Sequence, residues 1–258
     1  MNSRSLEALA GQPQPTRKRR AVGRLVCALA LLLTASAGHC YELSPSEFKA
    51  WPDYCKTRYV RVPGGDNSPY VRLVSPEMVR KAKAMLGDSW YHVHHACYSM
   101  MLIVRAERVR GRDAMQWNEN LNMAQNEANY AVQRIPPTNP VHWKMLTIQA
   151  RVLYERGNKA QGIDALKQIV RQKPDLGDGY AVLGNYLYKD GKLDEARDVL
   201  QTGIEKVPKP SSEMHYFLGM ILLKKGSFDA AREQAQKAYA LGYPLPGLRN
   251  RLKAAGHW

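Results

Sequence analysis

The 258-residue chain carries 38 lysines and arginines against 23 aspartates and glutamates, a formal net charge of +15. That excess suits an acidic partner, a polyanion or an anionic membrane surface. No finger spacing and no basic–aromatic motif accompanies it, which argues against specific nucleic-acid recognition. Four cysteines are too few for a disulfide framework and enough for one bridge.

The chain opens on an export pattern. Arg17, Lys18, Arg19, Arg20 and Arg24 precede the apolar run 25–33, and the small residues 34–37 follow. A basic region, a short apolar region and a small-residue cleavage site read as a secretory signal over 1–37. The alternative is an uncleaved N-terminal anchor, although the run is short against the roughly 20 residues a spanning helix needs. Cleavage after Ala37 lowers the net charge to +10. The expected location is therefore the periplasm or the inner membrane. Lipidation of Cys40 is the weaker reading, because His39 directly before it departs from the small residues of lipoprotein signals.

Residues 38–88 are expected to form an irregular cap. Pro45, Pro52, Pro63, Pro69 and the Gly64-Gly65 pair interrupt any sustained period. Ser44-Pro45-Ser46-Glu47 starts a helix, with Ser44 as N-cap and Glu47 reaching back, and Phe48 and Trp51 turn inward. Residues 59–62 and 70–73 suggest short extended pieces. Ser75-Pro76-Glu77 starts a second helix, to about residue 86. Cys55 and Cys97 are expected to pair and tie this cap to the first helical unit; two free thiols, or a bridge to Cys40, remain open.

Helical periodicity then takes over. Trp90, Val93, Cys97, Met100, Met101 and Val104 form one apolar stripe. A polar helix follows over 113–132 and Pro136-Pro137 closes the pair, so 89–137 reads as a degenerate repeat. Over 141–242 the register is regular. Gly157, Gly191 and Gly226 recur every 34 or 35 residues, and Ala150, Gly184 and Gly219 recur seven positions upstream of them. Pro174 and Pro208 close the first two units. The run Leu183-Gly184-Asn185-Tyr186-Leu187-Tyr188-Lys189-Asp190-Gly191, with Leu193-Asp194-Glu195-Ala196, resembles the tetratricopeptide repeat. The first unit departs from that pattern by placing Gly162 where alanine is usual, which predicts a cavity or a softened helix. Residues 243–258 break the repeat and end in a basic helix over 248–255 that caps the stack. The expected fold is all-α, a tetratricopeptide-like helical repeat solenoid with an irregular N-terminal cap.

The resemblance implies a noncatalytic scaffold whose leading helices line a groove for an extended peptide or helix. It maps the groove to Lys144, Thr147, Arg151 and Tyr154, then Asp178, Ala181, Asn185 and Tyr188, then Glu213, Tyr216, Met220 and Leu223. Lys189 joins them, with Arg151 and Lys189 facing carboxylates of the partner. The partner is expected to be a protein or peptide of an envelope, secretion or surface-polymer assembly. No glycine-rich phosphate loop, nucleophile elbow or haem-attachment motif occurs. His92, His94, His95 and Cys97 are the one dense group of possible metal ligands. They lack His-Glu-x-x-His spacing and are expected to pack beside Trp90, Tyr91 and Tyr98, so no metal and no cofactor is expected. Two alternatives stand beside the scaffold: a metal-binding or redox-associated envelope protein, and a module that binds an anionic membrane or a surface polymer.

Overall fold

Where this chain turns between helices, glycine sets the geometry. The structure, a computed structural model, describes residues 42–61 and 67–258. The expected export signal, Cys40 and part of the 59–62 segment lie outside those residues. Three helices come first: α1 (Pro45–Ala50), α2 (Asp53–Tyr59) and α3 (Pro76–Leu86). Four helical pairs follow. They are α4 (Val93–Val109) with α5 (Ala114–Arg134), α6 (Pro140–Glu155) with α7 (Lys159–Gln172), α8 (Gly177–Lys189) with α9 (Leu193–Lys206), and α10 (Ser212–Lys224) with α11 (Phe228–Ala240). A final helix, α12 (Gly247–Ala254), packs on α10 and α11. No strand occurs among the described residues.

Gly157, Gly191 and Gly226 have φ of 92°, 78° and 77°, which a side chain with Cβ adopts only with strain. Each lets the next N–H fold back on the ending helix. Asn158 donates to the Leu153 carbonyl at 3.0 Å, Lys192 to Leu187 at 2.9 Å, and Ser227 to Leu222 at 2.9 Å. These bonds satisfy helix-end carbonyls that would otherwise lack a partner. One turn chemistry, repeated in register, therefore returns every second helix onto its first.

The upstream small residues set how closely the paired helices pack. A Cβ on Gly184 would lie 2.5 Å from the Leu200 Cγ, and one on Gly219 would lie 2.6 Å from Leu248 of α12. Gly162 corrects the sequence expectation. No cavity lies there, because an added Cβ would meet the Ala150 carbonyl oxygen and the Tyr154 nitrogen, each at 2.8 Å. The α6 and α7 backbones approach too closely for alanine. Leu166, Leu183, Leu187, Leu200, Met214 and Ile221 fill the shared interior.

The N-terminal segment is more helical than expected. Residues 59–61 end α2 instead of extending, and Val71–Leu73 is a single 3-10 turn. Aromatic and β-branched residues suggest strands, but among the described residues no strand accepts their backbone bonds, and a helical turn satisfies them locally. Phe48 stacks on Tyr70 at 4.2 Å, and the Tyr70 hydroxyl donates to the Leu43 carbonyl at 2.7 Å. Cys55 on α2 and Cys97 on α4 are joined by a disulfide.

Glu47 provides a second tie across the same interface. Its carboxylate accepts from the Ser44 backbone at 3.0 Å and from the Arg105 Nε and Nη2 at 2.7 and 2.8 Å. The Arg105 guanidinium, bonded in this two-pronged way, holds the Glu47 carboxyl down at about 2, against the opposing effect of its burial.

Candidate partner-binding groove

The leading helices α4, α6, α8 and α10 touch one another in succession, so residues about 35 positions apart become neighbours. Their faces line a groove of about 640 Å³. Arg151 comes from α6, Asn185, Tyr188 and Lys189 from α8, and Tyr216 and Met220 from α10. The structure brings these six sequence-predicted residues to one concavity. Lys144 lines an adjoining recess of about 190 Å³, together with Asp178, Arg151 and Glu213.

Tyr154 does not join them. It is only 3% exposed, lies parallel to Tyr186 at 3.7 Å, and donates to the Asp190 carboxylate at 2.7 Å. Its role is to bind one repeat to the next. Thr147 is largely buried and donates back to the Trp143 carbonyl at 3.0 Å, yet it lines the adjoining recess beside Lys144. Leu223 packs with Tyr216, Met220 and the α12 residues in the cluster behind the groove but does not line it.

The expected free cations are paired within the chain. Arg151 meets Glu107 of the degenerate repeat. Lys189 lies 3.7 Å from Glu155, whose side chain is only 4% exposed and which also pairs with Arg110. Lys144 pairs with Asp178 at 3.0 Å, across two repeats. Burial pushes the Lys189 ammonium below its ordinary range, and Glu155 opposes that shift. The groove therefore offers matched pairs where the sequence suggested open sites for partner carboxylates.

Sequence reasoning missed the wall opposite. Tyr243, Pro244 and Leu245 close the groove from the loop after α11. Tyr243 stacks on Tyr216 at 4.0 Å, and Leu245 remains 58% exposed. The segment reads in sequence as a repeat breaker, and the one available signal was an aromatic residue directly before a proline. Phe217 also lines the groove. Burial raises the hydroxyl pKa of both Tyr216 and Tyr243, so these rings face a ligand uncharged. Glu213 stands exposed in the first turn of α10, where partial desolvation by the surrounding groove wall, followed by repulsion from Asp178, pushes its carboxyl up.

The histidine group packs among its own neighbours. His95 shares a 2.6 Å hydrogen bond with Glu127 and lies over Tyr130 at 3.7 Å. Burial is the main reason that His94 is pushed down to about 4, with the nearby His95 and Arg58 adding to it. Cys97 is committed to its disulfide. Among the described residues, no group of three or more His, Cys, Asp or Glu side chains is arranged to hold a metal ion.

Residues 182–244 match the family model of the tetratricopeptide repeat. The matched span runs from within α8 to Pro244 and includes most of the groove. It supports a tetratricopeptide repeat protein, consistent with the all-α helical repeat fold. Such repeats generally mediate protein–protein interaction. No curated protein matches the chain.

Proposed function

We propose that the protein is a noncatalytic interaction scaffold of the bacterial cell envelope, binding a peptide or protein segment in the groove of its leading helices. The convergence of Arg151, Asn185, Tyr188, Lys189, Tyr216 and Met220 on one concavity carries this reading. Export to the periplasm is part of the proposal. It draws on the basic–apolar–small pattern over 17–37 and on the Cys55–Cys97 disulfide, a bond favoured in oxidising compartments. The partner belongs to an envelope, secretion or surface-polymer assembly.

Asn185 and Tyr188 are partly exposed on α8, which makes them better probes than the nearly buried Tyr216 and Met220. The double variant Asn185→Ala/Tyr188→Ala is expected to recover its partner from envelope extracts about tenfold less well. That corresponds to roughly 1.4 kcal/mol shared between two contact residues. Helicity and unfolding temperature should stay close to those of the unaltered protein. Undiminished recovery by a folded double variant would remove the groove from the proposal.

A further inference from the structure

We infer that the groove selects a segment carrying a lysine or arginine beside apolar residues, with the cationic head received by Glu213; the inference rests on the scaffold reading above. Lys144, Arg151 and Lys189 each have a carboxylate partner in Asp178, Glu107 and Glu155. An acidic ligand would have to compete with those carboxylates for their cations, whereas a basic ligand would not.

Glu213 is in the opposite position. It lines both the groove and the adjoining recess, yet no hydrogen bond or ion pair meets its side chain among the described residues. The nearest balancing charges are Arg151 and Lys144, and both are held by other carboxylates. Glu213 stands exposed at the groove surface, and an arriving ammonium or guanidinium would offset the repulsion it feels from Asp178 and Glu107.

The wall beside Glu213 suits the rest of such a ligand. Tyr188, Tyr216, Phe217 and Tyr243 present ring faces and edges, and Met220 and Leu245 supply aliphatic contact. The Lys224 ammonium already lies 5.6 Å from the Tyr188 ring centroid, so a cation is tolerated against this aromatic surface. The chain as a whole is strongly positive, which opposes the approach of a basic segment. That field is screened beyond about 8 Å at physiological ionic strength, whereas a bond to Glu213 forms at about 3 Å. The local carboxylate therefore governs the docked state, and the surrounding positive surface disfavours basic segments elsewhere.

A random dodecapeptide display library panned on the full chain tests this. Parallel panning uses Glu213→Gln and a groove-filled Asn185→Trp variant. Peptides that bind the unaltered chain and fail on Asn185→Trp should carry lysine or arginine next to apolar residues. One such synthetic peptide should bind about tenfold more weakly to Glu213→Gln. Replacing its basic residue with norleucine should cause a similar loss on the unaltered chain and less than about a twofold further loss on Glu213→Gln. The norleucine peptide reads the same contact without changing the protein, so it decides the matter even where a variant folds poorly. Groove-dependent peptides that lack basic residues, or that bind both forms equally, would overturn the inference while leaving the scaffold reading intact. Recovery of no groove-dependent peptide would overturn both.

Discussion

Replacing Cys55 and Cys97 together with alanine is expected to lower the stability of the N-terminal region by about 4 kcal/mol. The two residues are 42 positions apart, and cross-linking them removes the loop-closure freedom of the unfolded chain. That effect is worth roughly 3 kcal/mol for a 15-residue loop and rises slowly toward about 5 for 100 residues. Both sulfurs are buried, at 0% and 1% exposure, so the alanines add a small packing loss. Within the chain the bridge fastens α2 to α4, the leading helix of the degenerate repeat. Its loss should loosen the cap while sparing the Gly184 and Gly219 contacts further along. Trp51 and Trp90 lie in this region and report on it by fluorescence during urea unfolding. A double variant that unfolds at the same urea concentration would contradict the proposed contribution.

Glu47→Gln is expected to cost about 2 kcal/mol near neutral pH. The native carboxyl titrates at about 2 against an ordinary 4.5, and each pKa unit corresponds to about 1.4 kcal/mol of linkage. The expected figure is smaller than the full shift implies, because Arg105 is about one-third exposed and its pair is partly screened. The sign follows from the depressed pKa. The contribution is complete above about 4.5, falls as the pH drops, and is largely gone below about 2. The difference between the unaltered chain and the variant should therefore be greatest at pH 7 and shrink across that acid window. A difference independent of pH would assign the loss to packing, not to the ionised Glu47–Arg105 bond.

The repeat architecture was readable because its controlling residues recur at one period and each acts locally. Gly157, Gly191 and Gly226 do one job at one kind of turn, independently of distant partners. Gly162 was misjudged for the opposite reason. Its sequence position reveals a missing side chain, but not the Ala150 carbonyl and Tyr154 nitrogen that would meet one. The groove was legible in its centre, where the helical period predicts which residues share a face. Tyr154 fell off that face because the turn carrying it packs onto Tyr186 of the next repeat. The cations at Arg151 and Lys144 looked free because their carboxylate partners lie 44 and 34 positions away. Glu107 in particular belongs to the degenerate repeat, where no regular register marks it as a neighbour. Tyr243 and Leu245 entered the groove through a loop, whose path has no periodic signal to read.

The most direct test of the groove assignment is site-specific photocross-linking in cells that express the protein. A benzophenone amino acid at Tyr188 samples the α8 wall, one at Leu245 samples the opposite loop, and one at the exposed Gln201 of α9 samples a surface outside the groove. The account predicts the same cross-linked partner from Tyr188 and Leu245, and none of it from Gln201. Cross-linking of that partner through Gln201 alone would place recognition outside the leading-helix groove and contradict the account.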